Sequence, residues 1–449
     1  MIFIPLIFIA IYLYVRELKI SSIVIILFFL TEGFNLIPPE IWETGLGFSK
    51  GKDFAFFTLL GIITIDALFQ KNYFKTDTLG KYIYIFLAFI VVCILNSKYS
   101  IGLPWGEIIR TIRYQFFWMF YFVFMSMDKK ELKLVLNCCF YVSIFTALLF
   151  ILQLVIGDTI LVGEGFSKTK IFDMEVKRFY NQPDMLHFFA FMSIYKNPIK
   201  NNFKYLAAAI LISASFLAFH RSWNSFFIIA ICLGYVIMQS KAQKVKIITV
   251  VTIIMLPILV FTASNFMKSR TFNDIKLVAQ GDFLLVEEFD MTSLEGSTFT
   301  FRMAHLFERV LYLNERSNTM LFGGGLVSED SQNIDKLFDF KIGLIDGATG
   351  RTYQVDTSDI TYSLLFLRFG YLGSLLYLLL FIYLSYYYYK HRNNRYGYIS
   401  LLFLILMFGV SFFSDSLLRS SNIIPLLITY CIIKKEEKHS NYISNGLES

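Results

Sequence analysis

The sequence predicts an all-α, polytopic membrane protein of about 12–13 transmembrane helices, with one large polar loop that contains helices of its own. Three observations predict it. Of 449 residues, 56% are hydrophobic and only 17% are charged, which is more apolar material than a soluble domain can hide. The apolar residues come in long runs and not in narrow amphipathic stripes. Clusters of lysine and arginine recur in every second connection between those runs.

In chain order the runs are Ile2–Val15, Ile20–Pro38, Phe54–Phe69, Gly80–Asn96, Ile108–Met127, Leu132–Ile156, Met185–Tyr195, Phe203–Phe219, Ser222–Met238, Val245–Ala263, Ile360–Tyr389, Tyr396–Phe413 and Ser416–Ile433. A crossing takes about 20 residues to cover roughly 30 Å, so the first run and the one from Met185 are short enough to be re-entrant or interfacial. The first run has no basic leading region and no small-residue cleavage site, and it carries Pro5, so it is not read as a cleavable signal.

The basic clusters set the orientation. Arg16 and Lys19; Lys71, Lys75 and Lys81; Lys129, Lys130 and Lys133; Lys196, Lys200 and Lys204; Lys241, Lys244 and Lys246; Lys390, Arg392 and Arg395; and Lys434, Lys435 and Lys438 mark alternate connections as cytoplasmic. The chain then divides into a bundle of about ten spans over residues 1–263, a large outer loop over 264–359, C-terminal membrane helices over 360–433 and a cytoplasmic tail over 434–449. The tail is polar and is expected to be disordered. The net charge of +7 serves topology and does not point to nucleic acid. All five cysteines, Cys93, Cys138, Cys139, Cys232 and Cys431, lie in apolar runs, so neither a disulfide framework nor a thiolate metal site is expected.

The large loop has an amphipathic centre. From Phe299 the periodicity is helical, with Met303, Leu306, Phe307, Val310 and Leu311 on one side and Arg302, His305, Arg309 and Arg316 in a separate stripe. Gly323-Gly324-Gly325 ends it. The stripe is either the solvated face of a surface helix or part of a site. Its placement matters because Arg110, Arg113, Arg178, Arg221, Arg302, Arg309, Arg316 and Arg419 all fall on the outer side, against the rule that placed the lysines. Arginine offers a planar, permanently charged fork suited to phosphate, where lysine suffices as a topological charge. Arg368 lies inside a run, nine residues beyond Asp359 and about 13 Å along a helix. It is either an internal salt-bridge partner or a ligand-binding group.

Four stretches carry a resemblance. They are Arg178-Phe179-Tyr180-Asn181-Gln182-Pro183; Ser215 to Ser222, ending in His220-Arg221-Ser222; Phe301-Arg302 with the helix that runs to Leu321-Phe322-Gly323-Gly324-Gly325; and Ser358-Asp359 through Arg368 to Gly373. With the large loop before the longest run, they resemble the O-antigen polymerase (Wzy) and O-antigen ligase (WaaL) superfamily over residues 80–430 in layout. The resemblance implies a GT-C-like membrane fold in the inner membrane and a periplasmic loop. It also implies a metal-independent glycosyltransferase acting on a glycan carried by undecaprenyl diphosphate, with no cofactor. A polymerase passes that glycan to another lipid-linked repeat and works beside a chain-length regulator; a ligase passes it to lipid A core. Ligases of the superfamily typically carry histidine where this sequence has Asp359, which favours the polymerase.

A diphosphate leaving group needs its charge neutralised, by a divalent cation or by fixed cationic donors. The sequence has no DxD motif and no His or Cys cluster with ligand spacing in the outward segments. Arg178, Arg221, Arg302 and Arg309 are therefore the first candidates for the diphosphate, followed by Arg368 and Arg419. The acceptor hydroxyl also needs a base, for which Asp359 comes first and His305 second. Asp359 and Ser358 equally suit N-capping of the long helix that follows. Tyr180, Tyr353 and Tyr362 are candidates for stacking on sugars. Glu40 and Glu43 form a close carboxylate pair on a short loop, where solvation is the ordinary reading. A lipid-linked oligosaccharide transporter would share the arginines and the many spans, but a large single outer loop and the lack of repeat symmetry between halves speak against it.

Overall fold

The computed structural model describes residues 3–44, 50–69, 76–163, 166–171, 174–239, 298–315, 317–329, 331–332, 334–343, 345, 351–355, 357 and 359–446. The expected span Val245–Ala263, Arg316 and Ser358 lie outside them. The described chain is mostly helical. It runs through α1 (Ile4–Val15), α2 (Lys19–Leu30), the short α3 (Pro39–Trp42), α4 (Gly51–Phe69), α5 (Thr78–Leu95), α6 (Trp105–Phe116), α7 (Phe120–Ser126) and α8 (Lys129–Ile156). After a β-hairpin come α9 (Leu186–Tyr195), α10 (Phe203–Leu217) and α11 (Arg221–Met238). The loop supplies α12 (Thr298–Asn314), α13 (Ser317–Phe322) and α14 (Ile334–Leu337), and the chain closes with α15 (Thr361–Lys390), α16 (Arg395–Val410) and α17 (Ser420–Gly446).

Among the described residues, four helices are long and apolar enough to cross a membrane: Thr78–Ser100, Lys129–Ile156, Arg221–Met238 and Thr361–Lys390. Five more, α1, α2, α9, α10 and α16, are apolar but shorter. The apolar runs overstate helix length because their ends are used for turns. The run Ile20–Pro38 stops being helical at Leu30, after which Glu32, Phe34 and Asn35 all take positive φ. Ile108–Met127 is broken into α6 and α7 by a 3₁₀ turn over Phe117–Met119. In the opposite sense, the tail expected to be disordered continues α17 to Gly446.

The all-α expectation needs one correction. Strands β1 (Phe166–Ile171) and β2 (Met174–Phe179) form an antiparallel hairpin that pairs Phe166 with Phe179 and Ser167 with Arg178. Thr169, Ile171 and Val176 favour extended backbone, and no 3.6-residue apolar period competes with them there.

The two ends of the bundle have different chemistry. At one end the lysine-rich connections meet. Glu436 accepts from Lys129 at 3.0 Å and from Asn394 at 2.7 Å, Lys133 and Lys196 both lie over the Tyr396 ring, and Lys435 donates to the Met125 carbonyl at 3.0 Å. Asp77 joins the same end, capping α5 through Leu79 and Gly80 while accepting from Tyr121 at 2.8 Å and Tyr430 at 2.7 Å. At the other end sit Arg113 on Asp53, Arg302 on Asp359 and Ser421 on Asp184. Lysines of three of the basic clusters, Lys129 with Lys133, Lys196, and Lys435, thus take part in these contacts.

α15 is not one straight helix. Gly370 takes φ 62° and ψ −170°, a region that is essentially glycine-only, and the helix kinks there. The kink frees the Leu367 carbonyl, which accepts from the Gly324 backbone N–H at 2.7 Å. The glycine run of the loop is therefore docked on the interrupted turn of the membrane helix.

Candidate functional site

A cleft of about 450 Å³ opens between segments far apart in sequence. Lys52 comes from the first turn of α4, Tyr114 from α6, Tyr180 and Asp184 from the segment after the hairpin, Arg368 from just before the α15 kink, and Arg419 from the turn before α17. Local bonds fix each wall. Asp53 accepts from the Lys50 backbone and from the buried Arg113, which ties α4 to α6 and brings the Lys52 ammonium 5.6 Å from the Tyr114 ring. Gln153, wholly buried, donates to Asn181 at 2.7 Å and accepts from Ile160 and Leu161, so the strand exit is held against α8. Asp184 is pinned by Asn35 through its backbone N–H and by the Ser421 hydroxyl, which donates to Oδ1 at 2.7 Å.

The lining carries four cationic side chains, Lys50, Lys52, Arg368 and Arg419, and three carboxylates, Glu32, Asp184 and Asp415. Asp415 is occupied by Arg419, whose Nε donates to it at 2.7 Å, and Glu32 sits 3.9 Å from Lys52. Burial pushes the Asp184 carboxyl above its ordinary value, against the opposing pull of Lys52, Ser421 and Arg419.

Beside the cleft, Arg178 meets His220, and Arg221 follows His220 at the start of α11. The Arg178 guanidinium lies 5.0 Å from the ring of Tyr180, a cleft residue, and donates to Nδ1 of His220. Burial and the charges of Arg178 and Arg419 hold His220 down to about 3, so its ring is neutral and can accept. Arg221 is the first residue of α11 and is exposed. Burial lowers the Arg178 guanidinium below its ordinary value, and repulsion from Arg221 and Arg302 adds to this while Tyr180 opposes it.

Arg302 makes a two-point contact with Asp359. Its Nε donates to the carbonyl and Nη2 to Oδ1, both at 3.1 Å. Asp359 does not cap α15. The N-cap of α15 is Ile360, with no side-chain cap, and the Thr361 N–H is taken by the Ser411 and Ser414 carbonyls. Nor does Asp359 line the cleft.

Two other candidates are withdrawn into the fold. His305 is buried, and Nδ1 is 3.0 Å from the Ser363 hydroxyl, joining α12 to the start of α15. Burial, with the Arg309 charge, holds it well below the ordinary imidazole range, and it reaches no cleft-lining position. Arg309 is fully buried and donates to Glu308 at 2.7 Å, to the carbonyls of Ile342, Gln354 and His305, and packs 4.2 Å from the Phe340 ring. It is the hub of the loop and cannot meet a diphosphate there. Tyr362 hydrogen-bonds Ser411 at 2.8 Å and packs on Phe412.

Arg178 is joined to His220 next to Arg221, Arg302 is held on Asp359, and Arg368 and Arg419 share the cleft that Tyr180 also lines. Lys52, Tyr114 and Asp184 were not among the residues expected from sequence. Asp184 immediately follows the Asn181-Gln182-Pro183 stretch, which was its available signal. Among the described residues, no group of three or more His, Cys, Asp or Glu side chains is arranged to hold a metal ion. No protein-family model matches the chain, and no curated protein matches it.

Proposed function

We propose that the protein is a polysaccharide (O-antigen) polymerase that moves a glycan from undecaprenyl diphosphate onto another lipid-linked repeat unit at the periplasmic face of the inner membrane. The observation that carries this reading is a cleft lined by Lys50, Lys52, Arg368 and Arg419 from segments far apart in sequence, with the Arg178 guanidinium 5.0 Å from the ring of its Tyr180 wall. Fixed cations placed where charge develops stabilise a departing diphosphate without reorganising during the reaction. Arginine forks supply that charge with directional donors. Tyr114 and Tyr180 add aromatic faces to the same cleft, suited to sugar rings.

The test is transfer in proteoliposomes supplied with undecaprenyl-diphosphate-linked oligosaccharide and read as a glycan ladder, with and without EDTA. The expected result is a ladder that EDTA leaves intact and that Arg178→Ala and Arg221→Ala each weaken by about 10²-fold or more. Extension only when lipid A core is added would make the protein a ligase. Movement of the lipid-linked glycan across the bilayer without a new glycosidic bond would make it a transporter.

A further inference from the structure

Of the three carboxylates that line the cleft, Glu32 faces Lys52 at 3.9 Å and Asp415 is paired with Arg419, which leaves Asp184 for proton transfer in place of the Asp359 expected from sequence. Asp359 is engaged by Arg302 and lies off the cleft, while Asp415 is engaged by Arg419. Asp184 differs from both. Ser421 donates to its Oδ1 at 2.7 Å, its backbone N–H is held by Asn35, and among the described residues no group donates to Oδ2. Asp184 lines the same cleft as Arg368, Arg419 and Lys52, with one carboxylate oxygen held by Ser421. Geometry of this kind, one oxygen oriented and one open, is what a general base requires.

We propose that Asp184 is the catalytic base of the transfer, a role that rests on the glycosyl-transfer reading above. In the step it serves, the acceptor hydroxyl oxygen attacks the anomeric carbon of the donor glycan and forms the new C–O bond. The bond from that carbon to the diphosphate oxygen breaks, and its electron pair leaves on the lipid diphosphate. The acceptor proton passes to Oδ2 of Asp184 and is released to water after the product leaves, which restores the carboxylate. Burial raises the carboxyl above its ordinary value, and Lys52, Ser421 and Arg419 oppose that rise. Burial makes it a stronger base than an exposed aspartate.

The experiment compares Asp184→Asn, Asp184→Glu and Asp359→Asn in the full chain, in proteoliposomes with the lipid-linked oligosaccharide. Lipid binding and thermal stability are followed alongside. Asp184→Asn is expected to lower kcat about 10²–10⁴-fold while binding the lipid diphosphate as the unaltered protein does. Asp184→Glu is expected to restore part of kcat with a displaced acid limb in the pH profile, which a merely structural Asp184 would not produce. Asp359→Asn, which alters the Arg302 contact, is expected to lower kcat without displacing the acid limb of the pH profile. A folded, lipid-binding Asp184→Asn with unaltered kcat would overturn the assignment and leave the polymerase reading standing. No transfer by the unaltered protein, together with no lipid binding, would remove both.

Discussion

Gly323 and Gly370 meet backbone to backbone. A Cβ on Gly323 would lie 2.5 Å from the carbonyl carbon of Arg368, and one on Gly370 would lie 2.6 Å from that of Leu321. Both residues have positive φ, so space and conformation make the same demand on each. The contact sets the height of Arg368 relative to the loop, because Gly324 takes the carbonyl of Leu367 directly before it.

Gly370→Ala should therefore destabilise by about 1–3 kcal/mol from conformation alone, with the steric clash in addition. Detergent-solubilised protein should melt several degrees lower, and lipid-linked transfer should fall with it. A Gly370→Ala variant of unaltered melting temperature would show that the kink is not needed for this contact.

Arg302 and Asp359 form a pair that is partly exposed, at 16% and 29% of their side-chain surfaces, so its direct worth to stability should be about 1 kcal/mol or less. Its effect on activity should be larger. Arg302→Ala is expected to lose about 10²–10³-fold in transfer, and Arg302→Lys to fall between, because the two-point contact needs a fork. A double-mutant cycle with Asp359→Ala should be non-additive. Equal ladders from Arg302→Ala and the unaltered protein, at equal membrane levels, would exclude Arg302 from the anion site.

Acid should destabilise the protein through His220 and His305. Both are held below the ordinary imidazole value of 6.5, His220 to about 3. The unfolded chain then binds more protons in that window, so stability is complete above about pH 6.5 and declines as pH falls toward the folded values. The slope should approach about 1.4 kcal/mol per pH unit for each group. Melting temperature measured from pH 7.5 to 4.5 should fall, and His305→Asn should flatten the curve.

Topology can be read with fusions. Reporters at Lys200 and Arg395 should report the cytoplasm and one at Asp335 the opposite side. A cytoplasmic signal at Asp335 would separate the loop arginines from a periplasmic substrate.

Much of the architecture was legible in the sequence because topological charge is a local signal. Lys129, Lys133, Lys196, Asn394 and Glu436 gather at one end as the alternation of clusters implied. The helical character of the loop was also legible, although the single helix expected from Phe299 to the glycines is divided into α12 and α13. What the polar stripe faced was not legible. Arg309 reads as solvated on a helical wheel, yet Glu308, Phe340, Ile342 and Gln354 close over it, and three of these four come from the chain more than thirty residues downstream. The cleft was hidden for the same reason. Lys52, Asp184 and Ser421 become neighbours only through packing, and no spacing in the chain relates them.

The order in which the polypeptide is made gives the cleft a timing. Helices α1, α2 and α4 cluster through Phe3, Phe29, Trp42 and Phe54, with Trp42 stacked 4.3 Å from Phe3, and every member lies within the first seventy residues. This unit can dock while most of the protein is still unsynthesised, since its contacts are local. The cleft has the opposite character. Its walls span Leu30 to Ser421, so it is complete only when the helices after the loop have entered the membrane and closed on the earlier ones. A nascent chain, or one cut before Asp415, would hold a settled leading domain but no assembled anion site.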